Sequence, residues 1–185
     1  MRIIGGNRRG LRLAEVGEGD MAAHLRPTSD RVREAIFNLL INAHGNPVTG
    51  ARVLDLFAGT GALGLEALSR GAAEVVFVDD GAKAGALIRT NIAKMRAEGE
   101  TRLLRQDATR LGPNPSAPFT LIFLDPPYGK AMGEAALAAA QKGGWIAPEA
   151  MIVWEEGSAR TPPEGFTQLD QRRYGDTFVT LLSPS

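Results

Sequence analysis

Three short stretches of this 185-residue chain combine residue types that do chemistry together. The first, Asp55-Leu-Phe-Ala-Gly59-Thr-Gly61-Ala-Leu-Gly64, is a Gly-x-Gly-x-x-Gly loop preceded by an acid, and the second is Asp79, 20 residues after Gly59. The third is Asp125-Pro126-Pro127-Tyr128. Glycines let a backbone approach a ligand closely, and an acid about 20 residues on accepts hydrogen bonds from ribose hydroxyls, so the first two stretches match a nucleoside-binding fingerprint. A nicotinamide dinucleotide satisfies that fingerprint too, and Asp55 is what separates the readings. A carboxylate ahead of the glycines repels a pyrophosphate and suits a cationic ligand, such as the ammonium and sulfonium groups of S-adenosyl-L-methionine (SAM). The same carboxylate can instead cap the turn, and Asp79 can cap the helix that follows Asp80-Gly81.

The two prolines of the third stretch fix φ and remove two N–H donors, so the carbonyls before them point in set directions. Alone, such a pair is a rigid turn. With an acid before it and an aromatic after it, at the edge where a sheet presents its ligands, it fits methyl transfer to an exocyclic amino group on a planar ring. That nitrogen is a poor nucleophile, because its lone pair is delocalised into the ring. Asp125 and a proline carbonyl can accept both N–H hydrogens, which localises electron density on nitrogen. Tyr128 can stack on the base, worth about 1–3 kcal/mol by analogy with other stacking platforms. The methyl group then passes in line from a sulfonium, where positioning supplies much of the barrier reduction.

These residues need elements to hold them. Apolar strands are predicted at 52–57, 74–78, 101–105, 119–124 and 151–155, with helices through Leu68, over about 83–98 and over about 133–141. Gly71 closes the first of these helices. A hairpin through Gly175-Asp176 joins strands near 166–172 and 177–182. Uniformly apolar strands alternating with helices make an α/β fold, a parallel sheet covered on both faces that binds ligands at the carboxyl ends of its strands. Ahead of this core, Ile3-Ile4 and Leu11–Leu13 flank Gly-Gly-Asn-Arg-Arg-Gly, a β-hairpin with a basic tip. A helix follows from about Ser29 to Ala43, with Thr28 or Ser29 as cap and Pro27 keeping Arg26 extended. Its spacing turns Val32, Ile36, Leu39, Leu40 and Ala43 inward and Asp30, Arg31, Arg33 and Glu34 outward. The whole reads as one domain, a hairpin extension at 1–25 and a core at 26–185, consistent with a chain of this length.

Composition narrows the classes further. With no Cys and only His24 and His44, thiolate chemistry is excluded and no metal site is expected. The N-terminus lacks a secretory h-region and no apolar run approaches the roughly 20 residues of a membrane span, so a cytoplasmic protein without a membrane partner is expected. Balanced charge, 21 basic against 21 acidic residues, argues against coating nucleic acid by charge alone. Basic residues nevertheless gather at Arg2, Arg8, Arg9 and Arg12 and again at Arg172-Arg173, either as solvated patches or as a phosphate-contacting edge. Trp145 and Trp154 read as packing, and neither His receives a role.

Taken with Arg26-Pro-Thr-Ser-Asp-Arg-Val-Arg-Glu-Ala-Ile-Phe-Asn38, these motifs resemble the RsmD family of bacterial 16S ribosomal-RNA guanine-N2 methyltransferases. The resemblance starts at Met1-Arg-Ile-Ile-Gly-Gly, and Arg-Pro-Thr-x-x-x-Val-Arg-Glu is its most specific part. It implies a Rossmann-like, class I SAM-dependent fold with a seven-stranded, mostly parallel sheet. It implies SAM as cofactor, with its methionine end at Asp55, Gly59 and Gly61, its ribose at Asp79 and its adenine at Asp107, and Phe57 among the cofactor-binding residues. Arg26 and Thr28 would lie beside the methionine carboxylate or the target pocket. Asp125, Pro126, Pro127 and Tyr128 would receive guanine 966 of 16S rRNA, flipped out of its helix. The partner would be 16S rRNA, within the 30S subunit or an assembly intermediate and met by a monomer, with Arg8, Arg9, Arg172 and Arg173 as candidate contacts. One departure is Val78-Asp79-Asp80, where Glu is the commoner acid, so Asp80 competes for the ribose. Rival functions are methylation of adenine N6 in DNA or RNA, and a non-catalytic RNA-binding assembly factor.

Overall fold

A computed structural model describes residues 1–16 and 28–185. Its elements in chain order are α1 (Asp30–Ala43), β1 (Arg52–Leu56), α2 (Ala62–Ser69), β2 (Glu74–Val78), α3 (Ala82–Met95) and β3 (Thr101–Leu104). They continue as β4 (Phe119–Leu124), α4 (Met132–Lys142), β5 (Ile146–Glu156), β6 (Phe166–Tyr174) and β7 (Thr177–Pro184). Among the described residues the strands form one seven-stranded sheet in the order β3-β2-β1-β4-β5-β7-β6. β1 to β5 are parallel, whereas β7 runs antiparallel to both β5 and β6. The order reverses at β1 and β4, so the crevice where such sheets bind ligands opens at their carboxyl ends.

The strands are apolar throughout because both faces are covered. Side chains alternate across a strand, and here the alternation sorts them into two cores. Val53, Val75, Phe77, Leu121, Phe123 and Val153 face Ile36, Phe37 and Leu40 of α1, Leu65 of α2 and Ile88 of α3. Leu54, Leu56, Val76, Val78, Ile122, Leu124 and Trp154 face Ala136, Leu137 and Ala140 of α4. Both tryptophans pack in the core.

Three sequence expectations are corrected. Arg33 does not face solvent. It is fully buried, with Nε donating to Glu66 Oε1 at 3.2 Å and Nη2 donating to Asp30 Oδ1 at 2.9 Å and to the Arg2 carbonyl. Glu66, also fully buried, accepts from the Ile4 and Gly5 amides at 2.9 Å each. This buried pair bolts the N-terminal hairpin to α1 and α2, a role that helical periodicity cannot distinguish from a solvated charge. The second correction is at β5, which begins at Ile146 and not near Met151 because a bulge between Phe119 and Leu121 carries its pairing with β4 past the irregularity. Ala43, expected inward, is exposed at the last turn of α1.

The N-terminal hairpin is narrow, closed by the Arg2–Arg12 bridge and by backbone bonds from Ile3 to Leu11 and from Gly10 to Ile3. Its tip is pressed onto the last residue of α2. The Asn7 amide donates to the Ser69 carbonyl at 2.9 Å, and a Cβ on Gly6, where φ is +81°, would lie 1.9 Å from that same oxygen.

Candidate active site

The chain leaves β1 through Phe57 at φ 57°, a left-handed conformation that is strained for a bulky side chain. Gly59 and Gly61 continue the turn at φ 61° and 82°. Three tethers fix it. The Ala58 amide donates to the Val78 carbonyl at 3.1 Å, and the Gly59 amide donates to Asp79 Oδ2 at 2.9 Å. Asn91, buried on α3, donates to the Thr60 carbonyl at 2.9 Å and to the Ala14 carbonyl at 3.0 Å. Asp79 Oδ1 accepts from the Gly81 amide at 2.9 Å, so one carboxylate ties the loop after β1 to the loop that opens α3. It stands half-buried at the crevice and does not cap α3 as the sequence allowed, since the N-cap is Gly81 and makes no side-chain cap bond. Asp80 is exposed.

Asp55 is 1% exposed and accepts from the Gly64 amide at 2.9 Å, which satisfies a donor in the first turn of α2. The turn-capping reading of Asp55 is therefore realised. Burial pushes its carboxyl well above the usual range, the Gly64 N–H pulls it down, and the nearby charges of Asp125 and Asp79 push it up again. A buried carboxyl facing two more carboxyls is chemistry suited to a cation. Gly64 itself is required by packing, since a Cβ there would meet Phe77 at 2.6 Å and Val75 at 2.7 Å. At the end of β3, Asp107 Oδ1 accepts from Thr109 N at 2.9 Å and Thr109 Oγ1 at 2.7 Å, bonds that hold it below the ordinary carboxylate range.

β4 lies beside β1, with Leu124 opposite Leu56, so Asp125 emerges next to the glycine loop. Thr28 Oγ1 lies 3.3 Å from Asp125 Oδ2 and 3.1 Å from Glu155 Oε2. Thr28 thus stands beside Asp125, while Arg26 and His24 lie outside the described residues. Pro126 is buried and Pro127 exposed. Tyr128 Oη sits 3.2 Å from Thr177 Oγ1, and the ring lies so close to Gly157 that a Cβ there would be 2.7 Å from Cδ2. Glu156 Oε1 accepts from the Gly129 and Gly157 amides at 3.2 Å each, joining the loop after β4 to the end of β5. Glu155, Glu156, Asn91 and Thr177 escaped the sequence reading. For the two glutamates a signal existed: they end an apolar strand at the carboxyl edge, as Asp79 and Asp125 do.

The basic candidates separate. Arg8 is turned back onto the protein, its amide donating to Ser69 Oγ at 3.0 Å and its Nε to the Met95 carbonyl at 3.3 Å. Ser69 and Met95 end α2 and α3, whose first turns flank the glycine loop, so the tip carrying Arg8 and exposed Arg9 lies at the opposite edge of the sheet. Arg172 is spent on Asp170, with Nε to Oδ1 at 3.0 Å and Nη2 to Oδ2 at 3.3 Å. Arg173, on the other face of β6, remains exposed, one residue from Tyr174, which pairs with Thr177.

A sheet ordered 3-2-1-4-5-7-6, with a glycine loop after β1 and Asp-Pro-Pro-Tyr after β4, is the site of a Rossmann-like methyltransferase. The family model for Conserved hypothetical protein 95 matches residues 1–183. The chain is 39% identical to the Escherichia coli Ribosomal RNA small subunit methyltransferase D over 84% of its own length and 74% of the relative's. It is 32% identical to the Haemophilus influenzae protein of the same name, over 95% and 89%. Among solved structures, Escherichia coli yhhF superposes with a TM-score of 0.81 at 33% identity, covering 100% of this chain and 98% of that one. The ribosomal protein L11 methylase of Lactobacillus delbrueckii shares the fold at a TM-score of 0.67 and 15% identity, covering 88% and 82%. The chain belongs to the RsmD family. Methyltransferases of this class use SAM as methyl donor. Among the described residues, no helix is long and apolar enough to cross a membrane.

Proposed function

We propose that this protein transfers a methyl group from SAM to the exocyclic N2 amine of guanine 966 in 16S rRNA, presented in the 30S subunit or an assembly intermediate. The observation that carries the reading is Asp125 beside Asp55, at the carboxyl ends of adjacent strands, with the Tyr128 ring packed close against Gly157. The small-subunit rRNA named for the relatives supports the substrate class. SAM supplies an electrophilic methyl group on a sulfonium. Gly59 and Gly61 would let its methionine end approach the backbone, Asp79 would receive its ribose and Asp107 its adenine. Asp55 would supply buried negative charge to the cation.

The protein's own share of the reaction is positional. Asp125 accepts one N–H of the amine and a proline carbonyl the other, which turns the nitrogen lone pair out of conjugation. Thr28 Oγ1, 3.3 Å from Asp125 Oδ2 and 3.1 Å from Glu155 Oε2, can donate its one hydroxyl hydrogen to either carboxylate. Tyr128, pinned through Thr177 and Gly157, fixes the plane of the base. Nitrogen becomes strongly acidic once methylated, so Asp125 need only receive the proton afterwards. Asp125→Ala is expected to lower methyl transfer by about 100-fold or more, the scale of a positioned acid–base group, while SAM binding by calorimetry stays near the parent value. Equal loss of both would remove Asp125 from the amine site.

A further inference from the structure

Resting on the proposed RNA substrate, we infer that a cleft between α1 and the β6–β7 hairpin is a second nucleotide subsite, which holds a residue of the single-stranded RNA flanking the target base. The cleft has a volume of about 370 Å³ and is lined by Arg31, Val32 and Ala35 on one wall and Arg173, Tyr174 and Gly175 on the other. That volume lies within the roughly 300–1,000 Å³ of small-ligand sites.

Both walls are chained to the methyl-transfer site. Thr28, three residues before Arg31, bonds Asp125; Thr177, three residues after Tyr174, bonds Tyr128. A strand whose target base enters at Tyr128 therefore runs past the cleft. The lining matches the two chemistries of a nucleotide. Val32, Ala35 and the Tyr174 ring offer apolar surface to a base, and a guanidinium stands on each wall for phosphate. Single-stranded RNA is commonly read in this way, by splayed bases on aromatic surfaces. Arg173 is already oriented: its Nε donates to the Gly175 carbonyl at 2.9 Å and its guanidinium lies 5.3 Å from the Phe178 ring centre. Arg31 is exposed at the first turn of α1. Of the acids nearby, exposed Glu34 on α1 lies outside the lining. Asp170 is engaged by Arg172 and His44, Asp30 by Arg33, and Asp176 lies outside the lining.

The test compares the parent protein with Arg31→Glu/Arg173→Glu and with Ala35→Trp, which fills the cleft without changing charge. Binding of a fluorescent single-stranded RNA spanning the target is measured against salt, alongside methylation of 16S rRNA, SAM affinity and thermal melting. Each variant should weaken RNA binding by about fivefold or more, and the double charge reversal should lower the salt-dependence slope by about 2, near one per phosphate contact. SAM affinity should be unchanged. RNA binding and slope equal to the parent's in a folded double variant would overturn the subsite. If the parent binds the RNA yet transfers no methyl group, the amine-methylation reading fails by itself, and the binding comparison still decides the cleft.

Discussion

At the scale of single residues, the site is a set of carboxylates sorted by what each is given to hold. Asp79 and Asp107 are committed to backbone and hydroxyl donors; Asp55 combines one amide with deep burial. The raised Asp55 carboxyl leads to a pH dependence with a definite sign. Burial favours the protonated form in the free protein, and an incoming cation favours the ionised form. SAM binding should then release protons and tighten as pH rises through the Asp55 titration. Calorimetry in buffers of different ionisation enthalpy would show the release, and a pH-independent affinity would detach Asp55 from the cation. Asp55, Gly59, Asp79 and Asp125 were legible because each ends a strand or opens a turn in a recognised spacing. Arg33 and Asn91 were not, since a charged or amide side chain on a helix carries no mark of whether a partner waits for it in the core.

At the scale of elements, the glycine loop works because α2 packs hard against β2. A methyl group at Gly64 would collide with Phe77 and Val75 and crowd Asp55 Oδ2 at 3.0 Å. Gly64→Ala should cost about 1–3 kcal/mol, the usual range for overpacking a core, read by urea denaturation. It should also weaken SAM binding by displacing the Asp55 carboxylate; stability within 0.5 kcal/mol of the parent, roughly the surface-substitution range, would show that α2 shifts freely. The strand and helix order was readable from alternation of apolar runs with amphipathic ones. The start of β5 was not, because a bulge depends on the partner strand. The direction of the N-terminal hairpin was equally hidden. Its basic tip, a candidate RNA contact, is held by Ser69 and Met95 at the edge opposite the glycine loop.

Across the whole molecule, balanced charge conceals a division of labour. Acids gather at the carboxyl edge, and Arg31 and Arg173 stand beside it. The distal half is fastened by His44 at the end of α1, whose Nε2 lies 2.9 Å from Asp170 Oδ2 on β6. Arg172 first and His44 second hold the Asp170 carboxyl down to about 2. A depressed carboxyl binds fewer protons in the folded state than in the unfolded one, so its stabilisation is present above the ordinary Asp range and is lost as pH falls towards 2. Asp170→Asn should flatten the loss of stability between about pH 5 and pH 2, followed by thermal melting; an acid limb as steep as the parent's would assign that loss to other groups.

The most direct test of methyl transfer to an rRNA amine is to incubate the purified protein with isotopically labelled SAM and unmethylated 16S rRNA, naked and as 30S particles. Mass spectrometry of the digested nucleosides then identifies the product. N2-methylguanosine carrying the label is the expected result, from the particle in preference to naked RNA. Labelled N6-methyladenosine would keep the amine chemistry and contradict the guanine assignment. No labelled nucleoside from either substrate, in a protein that binds SAM, would contradict methylation of 16S rRNA altogether.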